Sequence, residues 1–469
     1  MTVSPCRANF LLDYKELYQF LLARQADCSR NSVQFVSISI EIRAVDPLIV
    51  LERIAKPEQL TFYYENKSKG EAIAAIDAVA KLNVEGKKRF DNTQEFIKSC
   101  LANTITIGSI NHPFSGAHFF CIFGFFDKNA QTNYPFPTAT VFLPRWQVAR
   151  YSDRCILVAN LVIDADVNLE ILFQQFCQTI EKITSLENSL NNKIYQQNFI
   201  KQDLNGTNNF KHSVLSSLKS ISANHLNKIV IAHALDITSA SLFNIFQSLN
   251  NLRTFHPNCY IFSTSNGEGQ NFVGASPERL ISIQNKELMT DALAGSAPRG
   301  KTPVADADLA NRLLSSEKES REHQVVIDFI TQRLHYLGIT PHLLPPRLRQ
   351  LANIQHLWTP IQAKVPANVH PLEIVAELHP TPAVAGVARD IACEQIRYYE
   401  NFERGLYAAP LGWVDYRGNS EFIVGIRSAL IDGDRASLYA GAGIVAGSDP
   451  DKELAEIQLK LQALLKALV

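Results

Sequence analysis

Hydrophobic positions along the chain follow two rhythms that part company near residue 200. Before that point short apolar runs dominate: Phe35-VSISIEI-Arg43, Thr104-ITIG-Ser109, His118-FFCIFGFF-Asp127 and Cys155-ILVANLVI-Asp164. Rich in β-branched and aromatic residues, they predict strands. At the N-terminus Phe10, Leu11, Tyr14, Leu17, Tyr18 and Leu21 instead return at helical spacing, which predicts an amphipathic helix rather than a signal peptide. Between Glu181 and Ser213 the patterning lapses and asparagines crowd together; the first part reads as helix and residues 202–210 as an exposed loop.

After residue 200, short strands alternate with strong helical patterns. Lys228-IVIAHAL-Asp236 predicts a strand, and residues 271–285 and 286–296 predict antiparallel strands turning at Asn285-Lys286. A helix is expected from about Asp306 to Leu337. Another is expected at the C-terminus, with Asp449 as N-cap, Pro450 in its first position and Leu454, Ile457, Leu461, Leu464 and Leu468 as its buried stripe. Strands and helices come in runs without a βαβ rhythm, which predicts an α+β fold with antiparallel sheets.

Composition narrows the function classes. The 469 residues carry 45 Lys+Arg against 46 Asp+Glu, a net charge of -1, with no basic stripe for nucleic acid or an anionic membrane. The longest apolar run, Ala117 to Phe126, falls short of the roughly 18 residues of a membrane span. Eight scattered cysteines without a C-x-x-C pair predict a reducing, cytoplasmic setting rather than disulfides or structural zinc. The sequon Asn205-Gly-Thr207 reads as a chance match.

Several residues could carry chemistry, and each has a plainer reading. Glu453 and Glu456 share a helix face, and the helix expected from about Asp306 to Leu337 carries Glu317, Glu319 and Glu322. One acid from each helix would suit Mg²⁺, which takes one or two carboxylates and completes its shell with water and substrate oxygens; equally, all five are solvated surface acids. Lys228 opens an apolar strand, either snorkelling to water or desolvated so that it serves as a base. Glu278 either pairs with Arg279 at the surface or sits in an apolar cleft as a general acid. Glycines at 295 and in Tyr439-AGAGIVAG-Ser448 match no nucleotide-binding pattern but could bring backbone N–H groups to a carboxylate. Arg427 is a carboxylate clamp or half of a structural ion pair, and His356 a core histidine or a catalytic one.

Together these segments resemble the chorismate-utilising enzymes, a family that includes isochorismate, salicylate, anthranilate and aminodeoxychorismate synthases. The matching stretches are Lys228-IVI-Ala232, Gly274-ASPER-Leu280, Leu293-AG-Ser296, Glu317-KESRE-His323, Gln355-HL-Trp358, His379-PTPAVA-Gly386, Arg404-GLYAAPLG-Trp413, Ile426-RSA-Leu430 and Gly441-AGIVAGSDPDKELA-Glu456, in the family's order. His233 and Ser320 stand where relatives often carry arginine. The resemblance implies two large antiparallel sheets packed together with helices outside. It further implies a strand-rich N-terminal part, 1–200, intertwined with a catalytic region, 201–469.

For the site, the resemblance implies Mg²⁺ on Glu322 and Glu456 with Glu453 beside them, Lys228 as base and Glu278 as acid. It implies Gly295, Ser296, His356, Ala383, Tyr407, Arg427 and Gly441 around the substrate. Lysine rather than glutamine at 228 resembles the water-using branch. The expected reaction is reversible conversion of chorismate to isochorismate, in menaquinone or phylloquinone synthesis. Salicylate synthase is the alternative, and an anthranilate or aminodeoxychorismate synthase component a more distant one. No glutaminase subunit, nucleic acid or membrane partner is expected.

Overall fold

The computed structural model describes residues 14–28, 33–187, 199–202 and 206–468. Hydrogen-bond ladders link all of its strands into one curled sheet, antiparallel throughout except where Thr104–Gly108 runs parallel to Gln34–Ile42. The two expected sheets are therefore two arms of a continuous ladder. They diverge from the long strand Ala139–Tyr151, which pairs with Glu71–Val84 along its length and with His118–Phe123 at its start.

One arm runs through Thr61–Asn66, Tyr260–Ser265, Gln270–Ser276, Ser428–Asp432 and Arg435–Ile444 to Lys228–Ser239. The other runs through Pro410–Asp415, Ser420–Val424, Arg279–Gln284 and Glu287–Pro298 to Ile354–Lys364. Strands from before residue 200 pair directly with strands from after it, as Thr61–Asn66 does with Tyr260–Ser265.

At two short crossovers, Pro277-Glu278 and Gly425 to Arg427, the chain passes directly from a strand of one arm to a strand of the other. These two crossovers bond to each other: Val424 N–H donates to Glu278 O at 3.1 Å, and Ala275 N–H to Arg427 O at 3.1 Å. The turn at Asn285-Lys286 forms as the sequence predicts, with φ of 52° and 68° at its two corners.

Helices cover the ladder. The last one, Pro450–Leu468, is capped by Asp449, whose carboxylate accepts from the N–H groups of Asp451 and Lys452. Its predicted leucine stripe is buried. Tyr14–Ala26 buries Leu17 and Leu21 but leaves Tyr14 exposed; Phe10 and Leu11 lie outside the described residues.

Two expectations need correction. The single helix from Asp306 to Leu337 is two, Pro303–Ser315 and Glu317–Tyr336. Ser316 leaves the helical conformation, and its hydroxyl caps the second helix at Glu319 N–H, a local bond that competes with helix continuation. The exposed loop 202–210 is cut short by the helix Thr207–Ser222, which buries Phe210 against the sheet; Asn205 lies outside the described residues. Among the described residues no helix is long and apolar enough to cross a membrane.

Candidate active site

A cleft of about 840 Å³, counting its open mouth, lies between the two arms beneath the helices Glu317–Tyr336 and Pro450–Leu468. Its wall includes Glu278, Gly295, Ser296, Glu322, His356, Ala383, Tyr407, Arg427, Gly441, Glu453 and Glu456. The remaining expected residue, Lys228, places its Nζ 2.8 Å from Glu322 Oε1. The structure thus gathers every site residue named from the sequence into one place. Of the helix acids, Glu317 alone points to solvent.

Three strand features shape the cleft. A bulge between Ala294 and Ser296 drops Gly295 out of register, at φ 77°, and directs it toward the helix above. A Cβ on Gly441 would come within 2.8 Å of Tyr407 Oη. One on Gly443 would come within 2.6 Å of Glu322 Oε1, so glycine there is what lets Glu322 reach Lys228. Lys460, one helical turn beyond Glu456, bonds both Glu456 (2.7 Å) and the Gly441 carbonyl (2.8 Å), tying the helix to the strand.

Lys228 is 1% exposed, so it does not snorkel to water, and its Nζ has no partner in hydrogen-bond geometry beyond the electrostatic contact with Glu322. Glu278 is not paired with Arg279, which instead binds Asp291 at 2.7 Å. Buried, and with the Asp291 charge nearby, the Glu278 carboxyl is pushed up to about 8 despite Lys228 and Lys460. It stands protonated at neutral pH.

Arg427 sits on its crossover in the left-handed region, φ 51°, a strained conformation for a residue with a side chain. It forms no ion pair among the described residues. Its Nη2 donates to His356 Nε2 at 3.0 Å, while Nη1 is buried without a partner. Because a guanidinium can only donate, His356 carries its proton on Nδ1, 3.0 Å from Ser296 Oγ. Burial, with Arg427 and Lys460 beside it, holds His356 well below the usual imidazole range, hence neutral. The result is a neutral chain ending at a cation with a free donor, a fit for a ligand carboxylate.

Four carboxylates converge at the mouth. Burial and the neighbouring acids raise Glu319 and Glu453 against the opposing charge of Lys318. For Glu456 burial acts upward too, but Lys460, Lys318 and the Ser296 hydroxyl outweigh it and hold the carboxyl down. Lys318 lies 3.4 Å from Glu453 and 3.6 Å from Glu319. Among the described residues no three ligating side chains form a closed metal cage. Carboxylates gathered this closely suit a hard cation that takes one or two of them and completes its shell with water and ligand oxygens.

Sequence reasoning passed over Lys318 and Lys460, took Gly443 only as part of a glycine run, and named Glu319 only as a helix acid. Spacing offered a signal for two of them, since Glu319 is one turn before Glu322 and Lys460 one turn after Glu456.

The chorismate binding enzyme family matches residues 21–469, and this chain belongs to it. Curated relatives include the salicylate biosynthesis isochorismate synthase of Pseudomonas aeruginosa, 40% identical over 54% of this chain and 53% of that protein. The isochorismate synthase MenF of Bacillus subtilis is 36% identical over 55% of this chain and 54% of that protein. The matched segment thus spans about half the length of these relatives. Among solved structures, the menaquinone-specific isochorismate synthase MenF of Escherichia coli superposes with TM-score 0.78 at 26% identity, covering 96% of this chain and 99% of that one. Anthranilate synthase component I of Streptococcus pneumoniae shares the fold at TM-score 0.67 and 18% identity, over 90% of this chain and 97% of that one.

Proposed function

We propose that this chain is an isochorismate synthase, converting chorismate reversibly to isochorismate with Mg²⁺. The observation that carries the reading is the pairing of a buried lysine, Lys228, with a carboxyl kept protonated, Glu278, about one cleft. The names of the relatives in both comparisons support it, and those called MenF favour a quinone pathway, menaquinone or phylloquinone. The described cysteines are free, which fits a reducing cytoplasm.

Glu322 and Glu456 would hold the cation, with Glu453 and Glu319 beside them; when bound, Mg²⁺ supplies positive charge for a substrate carboxylate. Arg427 takes the second carboxylate through its free Nη1, helped by the Tyr407 hydroxyl and the Gly441 backbone. Gly295 and Ser296 face the ring's C4 side, with His356 and Ala383 completing the wall. Lys228 removes a proton from water as it adds to C2. The ring double bonds shift, and Glu278 gives its proton to the departing C4 hydroxyl, which leaves as water. In reverse the two groups exchange roles. General acid and base contributions of this kind are each about 10²–10⁴ in rate.

The test is to incubate the protein with chorismate and Mg²⁺ and separate the products. Isochorismate that reverts to chorismate is the expected result, abolished by EDTA and restored by Mg²⁺. Salicylate with pyruvate would move the chain to the salicylate synthases. An amino product when ammonium is supplied would overturn the water-using reading, as would full turnover in metal-free buffer for the cation.

A further inference from the structure

The strand that begins at Lys228 has a gap along one edge. On one side it pairs continuously with Arg435–Ile444. On the other, Gly386–Val387 covers Lys228 and Ile229, and Phe199–Gln202 covers Asp236 to Ser239. Past Ala385, whose carbonyl accepts from Val230 N–H at 2.7 Å, no strand among the described residues supplies partners for the carbonyl of Val230 or the N–H of Ala232. Unmet buried backbone groups cost about as much as a lost hydrogen bond each.

Two side chains fill the gap. Arg404 Nη2 donates to Val230 O at 2.9 Å, as a neighbouring strand's N–H would. Glu400 Oε1 accepts from Ala232 N–H at 2.8 Å, as a neighbouring carbonyl would. The two bind each other in a fork, Nε to Oε2 at 2.7 Å and Nη2 to Oε1 at 2.5 Å. Arg404 Nη1 also donates to Val384 O at 2.8 Å, in the cleft wall, and the guanidinium lies 4.4 Å from the Phe125 ring. Arg404 is 1% exposed and is not itself part of the cleft's lining; it reaches the site only through Val230 and Val384.

A buried ion pair is poor evidence of stabilisation, because apolar residues of like volume often do as well. What this pair fixes is position. Val230 lines the cleft and, by strand alternation, shares its face with Lys228 two residues away. We propose that Glu400 and Arg404 are positioning residues that substitute for a missing strand and so hold Lys228 at its working place. This rests on the function proposed above, in which Lys228 is the base.

The test uses Arg404→Lys, which keeps the charge but cannot make the fork and both carbonyl bonds at once, and Arg404→Met, which keeps volume alone. Kinetics and amide hydrogen exchange are read on the full chain. For both variants kcat should fall about 10²-fold with KM for chorismate within about threefold, the loss expected of a misplaced reacting group. Exchange in peptides covering residues 228–235 should accelerate about tenfold or more, while Arg154–Ile163 keeps its wild-type rate. Acceleration spread evenly over the sheet, or none at the strand, would overturn the proposal, as would unchanged kcat in Arg404→Lys. A wild-type protein inert toward chorismate would sink the proposed function instead, with the exchange result still deciding whether the pair holds the strand.

Discussion

Two buried acids of this sheet, Glu278 and Glu71, look alike until their surroundings are compared. Burial pushes Glu278 up to about 8 and Glu71 to about 7, with a second acid adding to each, Asp291 in one case and Glu421 in the other. Glu71 belongs to a closed network. Lys69 lies 3.9 Å from it and 3.1 Å from Glu421, which also accepts from Ser282 Oγ at 2.6 Å. Glu278 has no ion-pair partner among the described residues and opens onto the cleft that holds Arg427. A displaced pKa therefore marks burial, and only the open side of Glu278 marks chemistry.

The comparison breaks most directly by amide substitution. Glu278→Gln should lower kcat by about 10²–10⁴, leaving chorismate binding by equilibrium titration within a few-fold, since in the proposed mechanism the acid acts on the leaving hydroxyl and not on the carboxylates. Glu71→Gln should leave turnover within about twofold; a drop like that of Glu278→Gln would show that the network, too, serves the reaction.

The next effect is the alkaline limb of turnover. On the proposed function Glu278 works protonated, so kcat/KM for chorismate should decline through about pH 8 and approach tenfold per unit above it. A rate level to pH 9.5 would remove Glu278 as the acid. Smaller is the Gly443→Ala effect. The added Cβ crowds Glu322 and Lys228 together, so Mg²⁺ binding by calorimetry should weaken about tenfold, as when a ligand's supporting contacts are disturbed. Unchanged Mg²⁺ affinity would show that Glu322 can retreat freely.

The smallest effect concerns stability. Glu71 has a native pKa above its unfolded value, so its contribution is complete below about pH 4 and is lost as pH rises through about 7. Glu71→Gln should therefore gain about 2–4 °C in unfolding midpoint relative to wild type between pH 4.5 and pH 8. A constant difference across that range would mean that Lys69 keeps Glu71 charged throughout.

Much of this was legible in the sequence because it is local. Asp449-Pro450 opens a helix and Asn285-Lys286 closes a hairpin with information carried in a few residues. The family motifs likewise name Lys228, Glu278, Glu322 and Glu456 in chain order. What stayed hidden depends on partners distant in sequence. Nothing near Thr61 announces that it pairs with Ser265, and nothing near Gly443 announces a carboxylate arriving from residue 322. Ser316 was missed for a different reason. Leu313, Leu314 and Val326 continue the helical rhythm on both sides, and the hydroxyl that interrupts it makes no mark in hydrophobic periodicity.

The paired crossovers carry a consequence for how this architecture can diversify. Glu278 and Arg427, the proposed proton donor and carboxylate anchor, ride on two stretches of main chain stitched together at Val424 and Ala275, so their separation is written in backbone and not in side-chain choice. The lysine at the sheet's far end and the acids on the covering helices share no such bond. On the proposed function, a descendant could exchange its nucleophile or retune its cation by point substitution, while departure from C4 would be inherited unchanged with the sheet.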